Sequence, residues 1–361
     1  MTAKTNTTWR TMRLGDVASN FDSKRRPLSS MQRASMRGSY PYYGAAEIFD
    51  YINDYIFDGL HLLVAEDGTV TTDDGHPVLQ LADGKFWVNN HAHIIKGEDD
   101  EDTKYLYYAL STIGINPYIT GAVQLKITQQ NLNSIEISFP EKSERQKLVE
   151  VLAAFDEKIE NNNRIIKTLE EMAQAIFKKR FDVPVDDLPK GWGVRNVLEI
   201  VKRISVGKKY ENKTALSAGK VPILDQGQSG YIGFHNDEPG VGASIDEPVV
   251  VFTNHTCNYR LMTRSFSAIQ NVLPYVGTNG YPTLFVYYLT RGKITMQEYK
   301  GHWPDFEQQD FVVPPPALAE EFASFVKPMV QKTVEAENEN QKLGAIRDLL
   351  LPRLMSGEIR V

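Results

Sequence analysis

A long helical pattern occurs twice in this chain of 361 residues, once at 143–181 and once at 318–355. Setting Leu169 on Leu343 aligns the two copies without a gap. At about 1.5 Å per residue, the first copy would be roughly 58 Å long, more than the core of one small domain can use. Its apolar side chains follow at alternating steps of four and three, the heptad pattern of a coiled coil, and this seam consists of Leu148, Leu152, Phe155, Ile159, Asn162, Ile166, Leu169, Ala173 and Ile176.

The second copy repeats this seam with more polar positions. Its apolar seam residues include Val326, Met329, Leu343 and Leu350. Asn162 in the first copy and Asn340 in the second are amides at positions that should be buried, so they are expected to fix the register of pairing. Pro328 is expected to kink or restart the second helix, because an internal proline removes a helix hydrogen bond.

A single heptad run is typical of a helix that dimerises a protein. Two copies in one chain can instead pair with each other, which would make them an internal spacer. A fragment that ends near Val183 would keep only the first copy. We expect two such fragments to pair through that helix about a two-fold axis.

The helices divide the chain into a first domain at 1–142, a central helix at 143–181, a second domain at 182–316 and a C-terminal helix at 317–361. The two domains contain matching segments. Residues 9–17 match 192–200, and residues 61–70 match 249–258, where an apolar β-prone run ends in a polar cluster. The pattern predicts an α+β protein with two similar domains, each of which brings a polar loop to the surface at the end of a buried strand.

The net charge of −6 counts against binding of nucleic acid by this chain on its own, because a phosphate-binding surface is usually basic. The basic residues are nevertheless clustered at matching places in the two domains. The first cluster is Lys24, Arg25, Arg26, Arg33 and Arg37, and the second is Lys202, Arg203, Lys208, Lys209, Lys213 and Lys220. One charge run is usually only a solvated face, but its recurrence in both domains indicates contacts with phosphates.

The sequence lacks the usual motifs of catalytic and cofactor sites. It contains no phosphate-binding loop, dinucleotide fingerprint, zinc-protease motif or amino-methyltransferase tetrapeptide. His91 and His93 lack further metal ligands and are expected to make hydrogen bonds instead. His255 has no group to orient it as a base for Cys257. We therefore expect no catalytic residue, no metal and no cofactor bound by this chain.

Two further features concern the compartment. The single cysteine, Cys257, excludes an internal disulfide. No signal peptide and no apolar run long enough to span a membrane is recognised. A cytoplasmic protein without membrane contact is expected.

The polar clusters that follow the two buried strands contain side chains suited to reading base edges. Carboxylates accept a hydrogen bond from cytosine, and amides pair with adenine. The candidates are Glu66, Asp67 and Thr69 in the first domain and Asn254, His255 and Thr256 in the second.

Taken together, the residues resemble one known family, the DNA specificity subunits of type I restriction-modification systems. The resemblance spans the whole chain and includes the strings WRTMRLGDV, AEDGTV, VVVFTNHTC and FPEKSERQKLVEVLAAFDEKIE. It implies that each domain reads one half of a bipartite target in double-stranded DNA. It also implies that the two helices pack antiparallel in a pseudo-two-fold repeat and set the distance between the domains.

The same resemblance implies partner proteins. Two methyltransferase (modification) subunits would dock on the helices whose seam residues are named above, and restriction subunits with translocase activity would join them. S-adenosylmethionine, ATP and Mg²⁺ would be bound by those partners, and this chain would be a non-catalytic subunit. The alternative is a coiled-coil adaptor whose two domains bind ligands other than DNA, without salt-dependent DNA affinity.

Overall fold

The computed structural model describes residues 9–121, 124–227, 230–296, 298 and 300–361. The chain forms two compact units. Unit 1 consists of Met1–Ile159 with Gln341–Val361, and unit 2 consists of Glu160–Asn340. Each unit combines strands and short helices with one segment of each of two long helices, so the predicted mixture of helix and strand is confirmed.

Before the first long helix, the described residues of unit 1 form eleven strands and four short helices. The strands are β1 (Arg10–Arg13), β2 (Ser19–Asn20), β3 (Arg37–Tyr43), β4 (Ile48–Ile52), β5 (His61–Ala65), β6 (Leu79–Ala82), β7 (Trp87–Val88), β8 (Ala92–Lys96), β9 (Ile119–Thr120), β10 (Lys126–Ile127) and β11 (Glu136–Phe139). The helices are α1 (Leu14–Val17), α2 (Ser30–Ser35), α3 (Asp100–Leu110) and α4 (Gln129–Asn133). The first long helix, α5 (Lys142–Phe181), follows and continues into unit 2.

The described part of unit 2 contains nine strands and three short helices between the long ones. The strands are β12 (Gly193–Asn196), β13 (Val201–Arg203), β14 (Val221–Leu224), β15 (Tyr231–His235), β16 (Val249–Thr253), β17 (Tyr259–Met262), β18 (Ser267–Ala268), β19 (Val272–Gly277) and β20 (Asp310–Val313). The short helices are α6 (Val197–Ile200), α7 (Thr283–Thr290) and α8 (Trp303–Glu307). The second long helix, α9 (Pro316–Met355), returns to unit 1.

The sheets of the two units have the same strand order. β1 pairs with β11 as β12 pairs with β20. The four-stranded sheets run β2-β8-β5-β6 and β13-β19-β16-β17, and the three-stranded sheets run β4-β3-β7 and β15-β14-β18. In both three-stranded sheets the last pair is parallel. Unit 1 also has the short pair β9–β10, for which the described residues of unit 2 show no counterpart.

The central strands β5 and β16 are buried over their whole length. Their sequences, HLLVA and VVVFT, lack polar alternation, as expected for strands covered on both faces. Successive side chains point to opposite faces of a strand. Leu62 and Val64 accordingly pack in the core that contains Leu106 of α3, whereas Leu63 packs with Phe57 and Phe86 on the other side.

The two long helices are each 40 residues long. The shift that sets Leu169 on Leu343 also brings Lys142 onto Pro316 and Phe181 onto Met355, so both ends of the helices correspond. α9 runs through Pro328 as one helix, so a restart at this proline is wrong, whereas the alternative of a kink stays a prediction. Packing of an apolar face outweighs the single hydrogen bond that a proline removes.

In each unit, residues near the start of one long helix pack with residues near the end of the other. In unit 1, Leu148 and Leu152 of α5 share a buried cluster with Leu354 and Met355 of α9. In unit 2, the ring of Phe177 lies 5.3 Å from that of Phe322, at an edge-to-face angle of 72°. None of the described helices combines the length and apolarity needed to cross a bilayer.

The predicted seam residues lie in these interiors or at their borders. Leu148, Leu152 and Val326 are fully buried. Asn162 and Ala173 are also buried. The half-buried members are Phe155, Ile159, Ile166, Leu169, Ile176, Met329, Leu343 and Leu350. Of all these seam residues, Leu148, Leu152 and Leu350 belong to the cluster of unit 1, and Ile176, Val326 and Met329 belong to that of unit 2.

Candidate nucleic-acid interface

A polar loop leaves the end of the central strand in each unit, at the same point of the fold. The N–H of Glu66, just after β5, donates to the carbonyl of His91 over 2.8 Å. The N–H of Asn254, just after β16, donates to the carbonyl of Asn271 over 2.9 Å. His91 and Asn271 each directly precede the neighbouring strand, so the predicted match between the two loops is confirmed.

The loop of unit 1 is held by charged side chains. The carboxylate of Glu66 accepts from the guanidinium of Arg25 and lies 2.8 Å from the ammonium of Lys126. Burial raises the pKa of this carboxyl, but the hydrogen bonds from Lys126 and Arg25 outweigh that effect and the pKa is lowered. Glu66 is 8 % exposed. Its oxygens are thus occupied by protein cations rather than presented as acceptors for a base.

A second carboxylate lies beside it. His93 Nδ1 is 2.5 Å from Asp22 Oδ2, and His93 Nε2 is 2.8 Å from the carbonyl of Ile127. Burial raises the pKa of Asp22. The hydrogen bond and charge of His93, the N–H of Ile94 and the charge of Arg25 together outweigh that effect, so the pKa is lowered. Asp22, Glu66 and His93 lie close enough to be considered as metal ligands. Both nitrogens of His93 already face protein acceptors, which agrees with the predicted hydrogen-bonding role.

Three side chains of this loop region are nearer the surface. His91 Nδ1 lies 2.6 Å from Asp67 Oδ1, and the side chain of His91 is 45 % exposed. Thr69 is exposed two residues further on. His91 was not among the predicted base-reading residues, although its place next to a strand end is the signal that selected Asp67.

The loop of unit 2 is built from neutral groups. The side-chain oxygen of Asn254 accepts the N–H of Trp303 over 2.8 Å and so caps the first turn of α8. His255 donates its N–H to Gln226 Oε1, and its Nδ1 lies 2.9 Å from the carbonyl of Lys300. The hydroxyl of Thr256 donates to the carbonyl of Gln226 over 2.6 Å. All three predicted residues are half-buried and held by neighbours that sequence reasoning did not select.

The basic cluster of unit 1 divides into buried and exposed members. Arg25 is only 16 % exposed and is engaged by Asp22 and Glu66. Arg33 donates to the carbonyl of Leu28 and lies 3.4 Å from Asp50. Both side chains therefore bond to groups of their own unit and stabilise it. The exposed members are Lys24, Arg26 and Arg37.

The basic cluster of unit 2 is exposed, but two of its members are paired. Lys208 lies 3.0 Å from Asp237, and Lys213 lies 2.8 Å from Glu211. Lys209 and Lys220 are exposed and form no ion pair within the described residues.

A cleft of about 470 Å³ in unit 2 brings Lys209 together with amide side chains. It lies along β13 and the turn before β19, and its polar lining includes Arg203, Ser205, Gln270 and Asn271. Asn271 adopts a positive φ of 66°, and its carbonyl accepts the N–H of Asn254. The cleft thus adjoins the polar loop and combines a phosphate-binding charge with side chains that can read base edges. Gln270 and Asn271 were missed because SAIQN has no motif beyond an amide pair at a strand end.

The surroundings of Cys257, which was considered as a nucleophile, do not favour that role. Cys257 is buried, and burial, with a smaller effect of the charge of Asp305, raises the pKa of its thiol. A thiol with a raised pKa is a poor nucleophile at neutral pH.

Comparison with known proteins gives one consistent similarity. Residues 6–171 match the family model for the type I restriction modification DNA specificity domain. A type I restriction enzyme specificity subunit of Haemophilus influenzae is 36 % identical over 219 residues, which are 60 % of this chain and 56 % of that protein. This chain therefore spans little more than half the length of that relative.

Two further proteins extend the similarity along the chain. The MjaIX specificity subunit of Methanocaldococcus jannaschii is 24 % identical over 337 residues, 81 % of this chain and 78 % of that protein. The crystal structure of a type I restriction-modification S subunit from M. genitalium has a TM-score of 0.66 at 19 % identity and covers 98 % of both chains. The likeness to the M. genitalium structure shows that this chain has the same fold.

Proposed function

We propose that this chain is a member of the family of type I restriction-modification specificity subunits and the DNA-recognition subunit of such a complex, as its similarity to that family supports. The observation that carries the proposal is the repeated loop. Each unit presents a polar loop at the end of its central strand, anchored by the same backbone hydrogen bond. Two separate recognition surfaces suit a bipartite target.

Unit 1 would read one half of the target and unit 2 the other. Side chains of the loops and the cleft that are at least partly exposed are assigned to base reading: Asp67, Thr69 and His91 in unit 1, and His255, Gln270 and Asn271 in unit 2. Exposed cations are assigned to phosphates, which give affinity without sequence information: Lys24, Arg26, Arg37, Lys209 and Lys220.

The two long helices would form an antiparallel coiled coil in a pseudo-two-fold internal repeat and set the spacer between the half-sites. The shared cluster of Leu148 and Leu354 and the ring contact of Phe177 with Phe322 support this direction. Two methyltransferase subunits would dock on exposed apolar side chains of α9. Phe325 in unit 2 is 53 % exposed and Leu349 in unit 1 is 64 % exposed.

The proposed subunit is non-catalytic. S-adenosylmethionine would be bound by the modification subunits, and ATP with Mg²⁺ by restriction and translocase subunits, all in the cytoplasm. The absence of catalytic motifs from the sequence supports this division of labour. The relatives give no support to the adaptor alternative.

The proposal is tested with the complex of this chain and the modification subunit of its own system. Sequencing of methylated DNA should reveal an asymmetric bipartite target. Thr69→Ala should alter preference in one half-site only, and Gln270→Ala in the other half-site only. Lys209→Ala should weaken methylation of all targets alike, with Lys213→Ala as the matched control, since Lys213 is already paired with Glu211.

Two results would contradict the proposal. One is transfer of methyl groups by this chain without a partner. The other is a complex that methylates DNA without sequence preference.

A further inference from the structure

The long helices meet differently in the two units. In unit 1, the carboxylate of Asp156 on α5 accepts the hydroxyl of Tyr108 over 2.7 Å and lies 2.6 Å from the guanidinium of Arg347 on α9. Asp156 and Arg347 are each about a third exposed. We call these three residues the polar junction.

Unit 2 has apolar residues at the corresponding positions. The shift that aligns the helices places Asp156 on Val330 and Arg347 on Ala173. Both are buried and belong to one cluster with Tyr288 of α7. We call Ala173, Tyr288 and Val330 the apolar junction.

The tyrosines of the two junctions are themselves equivalent. The N–H of Gly97 donates to Thr103 Oγ1, as that of Gly277 donates to Thr283 Oγ1, which aligns α3 with α7. This alignment places Tyr108 on Tyr288. Each ring lies 5.2 Å from that of the preceding tyrosine. The difference between the junctions is therefore confined to the two helix residues.

A second polar contact is also unmatched. Asn162 of α5 is 2 % exposed, and its amide donates to Glu339 over 2.8 Å and to Asn340 over 2.9 Å. The same shift places Ala336 and Ile166 where Asn162 and Asn340 stand. Both polar contacts thus need one residue from α5 and a different one from α9.

We propose that these contacts make α5 selective for α9 and against α5 of a second copy of this chain. Because the helices are repeats, α5 has the shape to pair with itself. Such a pair would set Asp156 against Ala173 of the second copy and Asn162 against Ile166. Two carboxylates would then lose their bonds to Arg347, and two amides would lose their bonds to residues of α9. A buried group without its partner is costly, whereas the same site filled with apolar residues is tolerated.

This inference runs against the expectation that fragments ending near Val183 pair through their single helix, and that expectation stays a prediction. It does not depend on DNA recognition, since it concerns only which helices pair.

The test uses the full chain with Asp156→Val and Arg347→Ala together, so that unit 1 acquires the residues that unit 2 uses. Two differently tagged copies are unfolded together, refolded over a range of concentrations and co-purified, and the mass of the product is measured by light scattering. Differently tagged wild-type copies should form few mixed complexes. The double variant should associate about a hundredfold more tightly, one factor of ten for each carboxylate removed, given that each is partly exposed.

The matched control is the exchanged pair Asp156→Arg with Arg347→Asp. It keeps a salt bridge between α5 and α9 but none between two copies of α5, and should behave like the wild type. Should the first variant fail to fold, Ala173→Arg with Val330→Asp gives the same prediction, because it places the salt bridge in both units and makes α5 complementary to itself. Equal association of the wild type and a folded junction variant would overturn the proposal, and so would strong self-association of the exchanged pair.

Discussion

Unit 1 and unit 2 have the same sheets but stabilise equivalent places with different chemistry. At the end of the central strand, unit 1 has a cluster of ionisable side chains, Asp22, Glu66 and His93, whereas unit 2 has hydrogen bonds among Thr253, Thr256 and Gln226. At the helix contact, unit 1 has the polar junction and unit 2 the apolar junction. Shared backbone geometry and strand burial therefore define the fold, and the side chains at its edges are free to differ.

The largest expected effect on stability is at the contact between the two long helices. Phe322→Ala should destabilise unit 2 by about 3–5 kcal/mol, because Phe322 is fully buried and packs against four other rings. The aligned change in unit 1, Leu148→Ala, should cost about 2–4 kcal/mol. Hydrogen exchange followed by peptide mass analysis reads each unit separately. Phe325→Ala, on the exposed face of α9, is the control, and a cost equal to that of Phe322→Ala would show that burial does not decide the effect.

The polar junction should respond less. Arg347→Ala should destabilise unit 1 by about 1–2 kcal/mol, because the carboxylate of Asp156 loses its cation while remaining partly solvated. Arg353→Ala removes an ion pair with Glu358 that is more exposed, and should cost less than about 0.5 kcal/mol. The two costs are compared by urea unfolding. Similar costs would mean that the polar junction is only a surface ion pair.

Low pH should destabilise the two units to different degrees. The pKa values of Asp22 and Glu66 are lowered in the folded state from unfolded values of 3.8 and 4.5. Stability from such groups is complete above the unfolded values and is lost as the pH falls through the lowered ones. Exchange in the loop after β5 should therefore accelerate below about pH 4.5, more than in the loop after β16. Glu66→Gln should remove part of this acid dependence, and a variant with an unchanged profile would exclude Glu66 as its source.

The smallest effect concerns two neighbouring lysines. Lys209→Ala should lower DNA affinity for all sequences and reduce the slope of affinity against salt by about one. Lys208→Ala should have a weaker effect, since its ammonium lies 3.0 Å from Asp237. Titration of DNA at several salt concentrations measures both slopes. A larger effect of Lys208→Ala would mean that its ion pair opens when DNA binds.

Much of the fold could be predicted because its signals are periodic. The heptad seam predicted both helices, and the uniform runs HLLVA and VVVFT predicted the central strands. The restart expected at Pro328 was wrong, because the lost hydrogen bond was considered without the packing of the whole helix. Tertiary packing is what local propensities cannot include.

The candidate interface was harder to predict than the fold. Strand ends gave the right loops, but sequence cannot show which side chain in a loop turns inward. Glu66 and Arg25 lie in different segments and were each selected as DNA contacts, yet they bind each other. The polar junction also went unseen, because Asp156 and Arg347 become neighbours only when α9 returns to unit 1.

The discontinuity of unit 1 has a consequence for synthesis on the ribosome. Most of unit 1 emerges first, yet it is completed by Gln341–Val361, which emerge only after all of unit 2 has been translated. Until then, Leu148 and Leu152 lack their cover from Leu354 and Met355. The nascent chain therefore carries an exposed apolar helix face throughout the translation of unit 2, a period in which it is open to chaperones and to neighbouring nascent chains.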